Sequence, residues 1–282
     1  MDSIQISPGS VVGPALSWLN LNHHDVFAGI ATVFNGAVSG IVTVLTYAPS
    51  PYVIGVLALG ALALSGWRMG VLTALGLALC SVLGMWQATT QTIALVILAV
   101  LISISIGIPI GILVSRSKKL QAAVRPVLDI MQTLPPWVYL VPAVILFGLG
   151  SVPALISTIV YGIAPMVRLT VLAMSQIPQE RMELGRAVGV TKFGLLKKIE
   201  LPSAMPTLLV GVNQCILLSL AMVVLAGLVG AGGLGAEVTR GLTRLDFGLG
   251  VRASLAIVAV AIIMDRVFRN AIPQVYLSKS LN

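Results

Sequence analysis

From residue 89 to residue 114 the chain carries no charged side chain. A helix needs about 20 apolar residues to cross the ~30 Å hydrocarbon core of a bilayer, so this run is long enough to cross with tilt. Inside lipid only a helix or a closed barrel satisfies its own backbone, and apolar runs of this length select the helix. Similar runs occupy 128–149, 154–175, 205–229 and 250–268, and two shorter ones occupy 52–65 and 69–86. The expected fold is therefore all-α, a polytopic membrane protein of about seven transmembrane helices. With 57% hydrophobic and only 9% charged residues, the composition excludes a soluble globular domain.

Seventeen Lys and Arg against nine Asp and Glu give a net charge of +8. The basic residues cluster in short loops beside apolar runs, which is the pattern of membrane orientation. No contiguous basic face for nucleic acid is visible. Arg116, Lys118, Lys119 and Arg125 follow the 89–114 run closely and mark its cytoplasmic end. The first basic residue of the chain is Arg68, so the N-terminal region is expected outside the cytoplasm, and Arg266, Arg269 and Lys279 place the C-terminus inside. The start of the chain lacks the basic segment of a cleaved signal peptide, so the spans themselves are expected to direct insertion. Cys80 and Cys215 both lie in apolar runs and read as buried free thiols.

Residues 1–50 form an extracytoplasmic N-terminal region, and 51–282 form the transmembrane domain, with its core at about 88–270. Within the first region, Thr32, Asn35, Ser39, Thr43 and Thr46 draw one uncharged polar stripe along the apolar 26–46 segment. Such a helix either spans the membrane or lies on its surface. The stripe favours an amphipathic interfacial helix, and spanning would reverse the side assigned to the residues before it.

The longest polar interruption is 176–203. Pro178 suits a first helical turn, Glu180 and Glu183 suit a helix N-terminus, and Gly189 supplies a stop. Thr191 caps a second short helix that Lys197 and Lys198 close and Pro202 ends. Met182, Leu184, Val188, Phe193 and Leu196 give this charged loop more apolar surface than solubility requires, which calls for a protein partner.

A catalytic site is not expected. The chain has no G-x-x-x-x-G-K-[ST] loop for ATP, and Gly230, Gly232 and Gly235 satisfy G-x-G-x-x-G only after a membrane helix, which reads as a flexible outer turn. Its two histidines, His23 and His24, and its scattered acids form neither a nucleophile–base pair nor a metal set. A solute path is better supported. Pro135-Pro136 must interrupt the helix at 128–149, and counting 1.5 Å per residue puts Trp137 and Tyr139 near mid-membrane. The same count puts Asn213 and Gln214 there on another helix. Each of the four also has a packing role open to it. Asp129 and Arg168, towards the cytoplasmic ends of neighbouring antiparallel spans, are expected to pair.

The loop resembles the cytoplasmic loop of membrane subunits in binding-protein-dependent ABC importers: Glu-Ala-Ala, three residues, Gly, nine residues, Ile-x-Leu-Pro. Glu183, Gly189, Ile199, Leu201 and Pro202 fall in register, and the departure is Leu184-Gly185 in place of two alanines. The runs IGIPIGILVSRS, VLDIMQTLPPWVYLVPAVILFGLG, MVVLAGLVGAGGLG and LDFGLG resemble the glycine betaine, proline betaine and choline branch of these permeases. The resemblance implies a type I importer permease fold like that of the methionine importer, in a multi-pass subunit of the bacterial cytoplasmic membrane. It implies import of a small quaternary amine, for which an aromatic face such as Trp137 is apt. It also implies a second copy of the chain, an extracytoplasmic substrate-binding protein that Arg240 and Arg244 would face, and a cytoplasmic subunit that binds the ATP and docks on 176–203. No cofactor is expected on this chain. An importer for an amino acid such as methionine or histidine, or an ion-coupled secondary transporter, is the alternative; the latter would want an acid at midplane.

Overall fold

The computed structural model describes residues 9–271. Residues 1–8 of the N-terminal region, and Lys279 in the C-terminal argument, lie outside them. Every described element is helical: α1 (Gly9–Asn22), α2 (His24–Thr46), α3 (Ser50–Ser65), α4 (Trp67–Val82), α5 (Trp86–Ser115), α6 (Lys118–Thr133), α7 (Trp137–Phe147), α8 (Ser151–Ser175), α9 (Gln179–Ala187), α10 (Lys192–Leu195), α11 (Leu201–Leu225), α12 (Gly233–Thr243) and α13 (Phe247–Ala271). All seven apolar runs read from the sequence are helical. Five described helices are long and apolar enough to cross a membrane, and α6 with α7, taken as one bent span, makes six. These six include α2, which is not one of the seven runs; the two runs too short to be among them are α3 and α4, 16 residues each, packed on one another.

The centre of the bundle is α8, which packs most extensively against α5 and α11. Small residues allow this. A Cβ on Gly111 of α5 would stand 2.4 Å from Thr170 Cβ of α8, so only glycine admits that crossing. Leu95, Ala99, Leu155, Cys215 and Ile216 form the core there, and Cys80 joins them, both cysteines being buried and free of disulfide bonds. Ser103 Oγ donates to the Ile159 carbonyl across the α5–α8 seam at 3.2 Å. Interhelical hydrogen bonds of this kind contribute about 0.6 kcal/mol each in lipid.

The α6–α7 run bends by 94°. Leu134 is extended (φ −67°, ψ 136°), the conformation favoured before proline, and neither Pro135 nor Pro136 has an N–H for the ladder. The expected interruption is present, but a bend this large invalidates the straight depth count that put Trp137 and Tyr139 at mid-membrane. The Gly-rich segment also departs from expectation. A short 3-10 turn, Ala226–Val229, leads into α12, and the first amides of α12 are held from α5: Gly233 N–H donates to Gln91 Oε1 and Leu234 N–H to Thr92 Oγ1, each at 2.8 Å. A Cβ on Gly235 would meet the Val224 carbonyl oxygen at 2.2 Å. The glycines serve close backbone packing here, and the turn is not the flexible one expected.

Helix α2 is anchored at the bundle end remote from residues 176–203. Its Phe27 ring packs edge-on to Phe147 at the end of α7 (5.3 Å), and Asn35 Oδ1 accepts from Ser151 Oγ at the start of α8 (2.7 Å). Just past its end, Ser50 Oγ lies 2.9 Å from Ser81 Oγ near the end of α4. Thr32, Ser39 and Thr46 donate to carbonyls of their own helix, so most of the polar stripe is satisfied without outside partners.

Candidate functional site

The hairpin at 176–203 is built as its residue types require. Helix α9 starts after Pro178 with Glu180 in its first turn. It ends in a paired turn in which Gly189 N–H donates to the Arg186 carbonyl (3.0 Å) and Val190 N–H to the Gly185 carbonyl (3.1 Å), with Gly189 at φ +76°. Thr191 Oγ1 then accepts from Gly194 N–H at 3.2 Å and caps α10. The second arm does not stop at Pro202. It widens into a π turn, Leu196–Glu200, and continues into α11. Leu201 N–H bonds to the Leu196 carbonyl, one residue further back than in an α-helix, which gives the Pro202 ring room and makes one continuous lever of the arm and the span.

Gly185, where the resembled family has alanine, is buried; a Cβ there would lie 2.5 Å from both Ile199 Cδ1 and Leu195 Cδ1. The two arms are thus pressed together at Gly185 and Ile199, with Leu201 half-buried beside them. Glu183 and Pro202 are exposed. Leu184, Val188 and Phe193 are 66%, 74% and 74% exposed, an apolar tip of the kind that a partner covers. Met182 and Leu196 are half-buried.

A residue pair not foreseen from the sequence ties this hairpin to the bundle. Arg116, just past α5, forks onto both carboxylate oxygens of Glu200 at 2.8 and 2.5 Å, and Glu200 is 2% exposed. The hydrogen bonds to Glu200 hold the Arg116 guanidinium above its ordinary pKa, against the opposing pull of burial. The only hint in the sequence was an acid between Ile199 and Leu201 in an otherwise basic arm.

The four residues proposed for a solute path are not brought together. Gln214 lines a cavity of about 360 Å³ between α6, α8 and α11, together with Gln132, Tyr161, Pro165, Arg168, Leu169 and Leu218. Tyr139 stands one layer behind it, its ring 5.7 Å from that of Tyr161 and its hydroxyl donating to the Met131 carbonyl across the bend. Trp137 is 45% exposed at the start of α7, off this lining. Asn213 Oδ1 is buried without a hydrogen-bond partner among the described residues and does not line the cavity. Arg168 pairs with Asp129 at 2.5 Å, as expected, and also donates to Gln132 Oε1. Among the described residues no cluster of His, Cys, Asp and Glu is assembled that could hold a metal ion.

The family profile described as binding-protein-dependent transport system inner membrane component matches residues 103–275. The chain is 42% identical over 257 residues to the glycine betaine/proline betaine transport system permease protein ProW of Escherichia coli (strain K12), covering 91% of this chain and 73% of that one. It is 40% identical over 271 residues to the glycine betaine transport system permease protein OpuAB of Bacillus subtilis (strain 168), covering 96% of each. Among solved structures, an inward-facing conformation of the MetNI methionine ABC transporter superposes with a TM-score of 0.56 over 66% of this chain and 95% of the other, at 24% identity.

Proposed function

The chain belongs to the inner membrane components of binding-protein-dependent transport systems, and we propose that it is the permease subunit through which such a system imports glycine betaine or a close quaternary-amine relative. It is a transport subunit of type I importer fold, not an enzyme. The observation that carries the substrate reading is the match to a glycine betaine permease along 96% of both chains. The likeness to the methionine transporter, at 24% identity, speaks for the fold alone and gives the amino-acid alternative no comparable support. Ion-coupled transport finds no support in the family either.

A family of this kind works with an ATP-binding subunit and a substrate-binding protein. On this chain the hairpin Glu183, Leu184, Gly185, Gly189, Ile199, Leu201 and Pro202 is the dock for the ATP-binding subunit, its exposed tip of Leu184, Val188 and Phe193 seated in that partner's groove. Closure of the ATPase on ATP pushes the tip, and the continuous arm and the Arg116–Glu200 fork carry the displacement into α11 and α5. A second copy of the chain completes the conduit as a homodimer, and Trp137, Tyr139, Asn213 and Gln214 serve it as lining or support.

The hairpin end faces the cytoplasm of a bacterial cell, by the cluster of Arg116, Lys118, Lys119 and Arg125 beside it. Residues 1–50 then lie outside and 51–282 form the permease domain. Contacts of α2 and its exit at Phe147, Ser151 and Ser81 support a helix lying across the outer ends of the bundle. A crossing helix would separate its two ends by the ~30 Å core. Reconstituting the chain with its ATPase and binding protein in vesicles tests the function: radiolabelled glycine betaine must accumulate with ATP and not without it. Accumulation of methionine or histidine in place of glycine betaine would overturn the substrate reading.

A further inference from the structure

The cavity between α6, α8 and α11 holds the ingredients for more than passage. Its one charged lining residue is Arg168, and the rest of the lining is Gln132, Gln214 and Tyr161 with apolar side chains. Arg168 is 45% exposed and its partner Asp129 is 46% exposed. An ion pair within a membrane span is costly unless it faces protein or a water-filled path, and Arg168 faces this cavity. About 360 Å³ falls at the low end of small-molecule sites, which run from about 300 to 1,000 Å³.

We propose that this cavity is a holding station for a small zwitterion carrying both a quaternary ammonium and a carboxylate, and that it works against a plain cation. The proposal rests on the permease reading above and sharpens it. Arg168 has five N–H donors in a planar fork; one is engaged by Gln132 and one by Asp129, which leaves donors for a solute carboxylate. Asp129 neutralises the site as a whole without lining it, so the cavity meets the positive end of a dipole whose net charge is zero. Tyr161 lies two turns before Arg168 on the same face of α8, about 10 Å along the axis, and both line the cavity. Its ring, backed by Tyr139, offers a π face to the ammonium while Arg168 takes the carboxylate. Choline has the ammonium and no carboxylate, so it brings a positive charge to Arg168 with nothing to offset it. Discrimination of this sort comes from the repulsive element as much as from the attractive one.

The test is ATP-driven glycine betaine uptake by the reconstituted complex, with the binding protein saturated and assembly checked by co-purification of the ATPase. D129N/R168Q replaces the ion pair with two neutral amides, the glutamine shorter than the arginine, and so removes both charges while leaving polar side chains at both positions. Uptake should fall at least tenfold in this variant, and at least fivefold in Tyr161→Leu. If the amide pair fails to assemble, Gln214→Glu at an exposed position sets a carboxylate opposite Arg168, and the same tenfold loss is expected. A purely structural ion pair predicts that D129N/R168Q transports normally; uptake above a tenth of the wild-type rate overturns the holding station while leaving the permease assignment intact. A wild-type complex that imports no quaternary amine overturns both.

Discussion

Glu200 is nearly sealed from solvent while Arg116 is half exposed, and the pair is therefore asymmetric. Removing Arg116 strands a buried carboxylate, whereas Glu200→Gln leaves a cation that turns to water. Breaking a fully buried pair costs about 3–5 kcal/mol, and the exposure of Arg116 lowers that to roughly 2 kcal/mol. Arg116→Ala should thus lower the melting temperature of the purified permease more than Glu200→Gln, and equal shifts would contradict the asymmetry. Gly189, at φ +76°, should lose about 1 kcal/mol on substitution by Ala. Gly185→Ala should cost less, because the atoms a Cβ would meet are the mobile ends of Ile199 and Leu195. Thermal denaturation in detergent ranks the two. The register of Glu183, Gly189, Ile199 and Pro202 is readable in the sequence because turn chemistry and caps are local. The Arg116–Glu200 fork is not, since its members lie 84 positions apart and no local rule joins them.

Among elements, the hairpin and the α6–α7 bend show how far local chemistry reaches. Pro135-Pro136 announces a break but not its 94° angle, and a depth count that assumes a straight helix does not carry across such a bend. Pro202 looked like a stop and instead sits just past a π turn, since a wider turn relieves a proline clash without ending a helix. The Gly-rich segment read as loose because its partners, Gln91 and Thr92, lie 142 positions away. At this scale the exposed tip of the hairpin gives a clean prediction. Phe193→Asp should change the stability of the isolated permease by no more than about 0.5 kcal/mol, as for other exposed sites. It should also reduce co-purification of the ATP-binding subunit at least tenfold; unchanged co-purification would remove the docking assignment.

For the whole molecule, the long apolar runs alone determine the class, because lipid leaves a chain so few ways to satisfy its backbone. The disposition of α2 is less legible. Its length permits a span, and only its contacts at Phe147, Ser151 and, beyond its end, Ser81 favour a surface position. With Cys80 and Cys215 buried, single cysteines at His24 and Tyr47, both exposed, can be labelled by a membrane-impermeant thiol reagent on intact cells. Both should label; a helix that crosses would leave one of them protected. The central claim is that a bundle without a nucleotide site of its own is driven through its hairpin by a partner that hydrolyses ATP. Its most direct measurement is glycine betaine uptake into vesicles holding the permease with its ATPase and binding protein. Uptake should require ATP and should be lost in Gly189→Pro, which lacks both the φ and the N–H of that turn; uptake by the permease alone, or undiminished transport by that variant, would contradict the account.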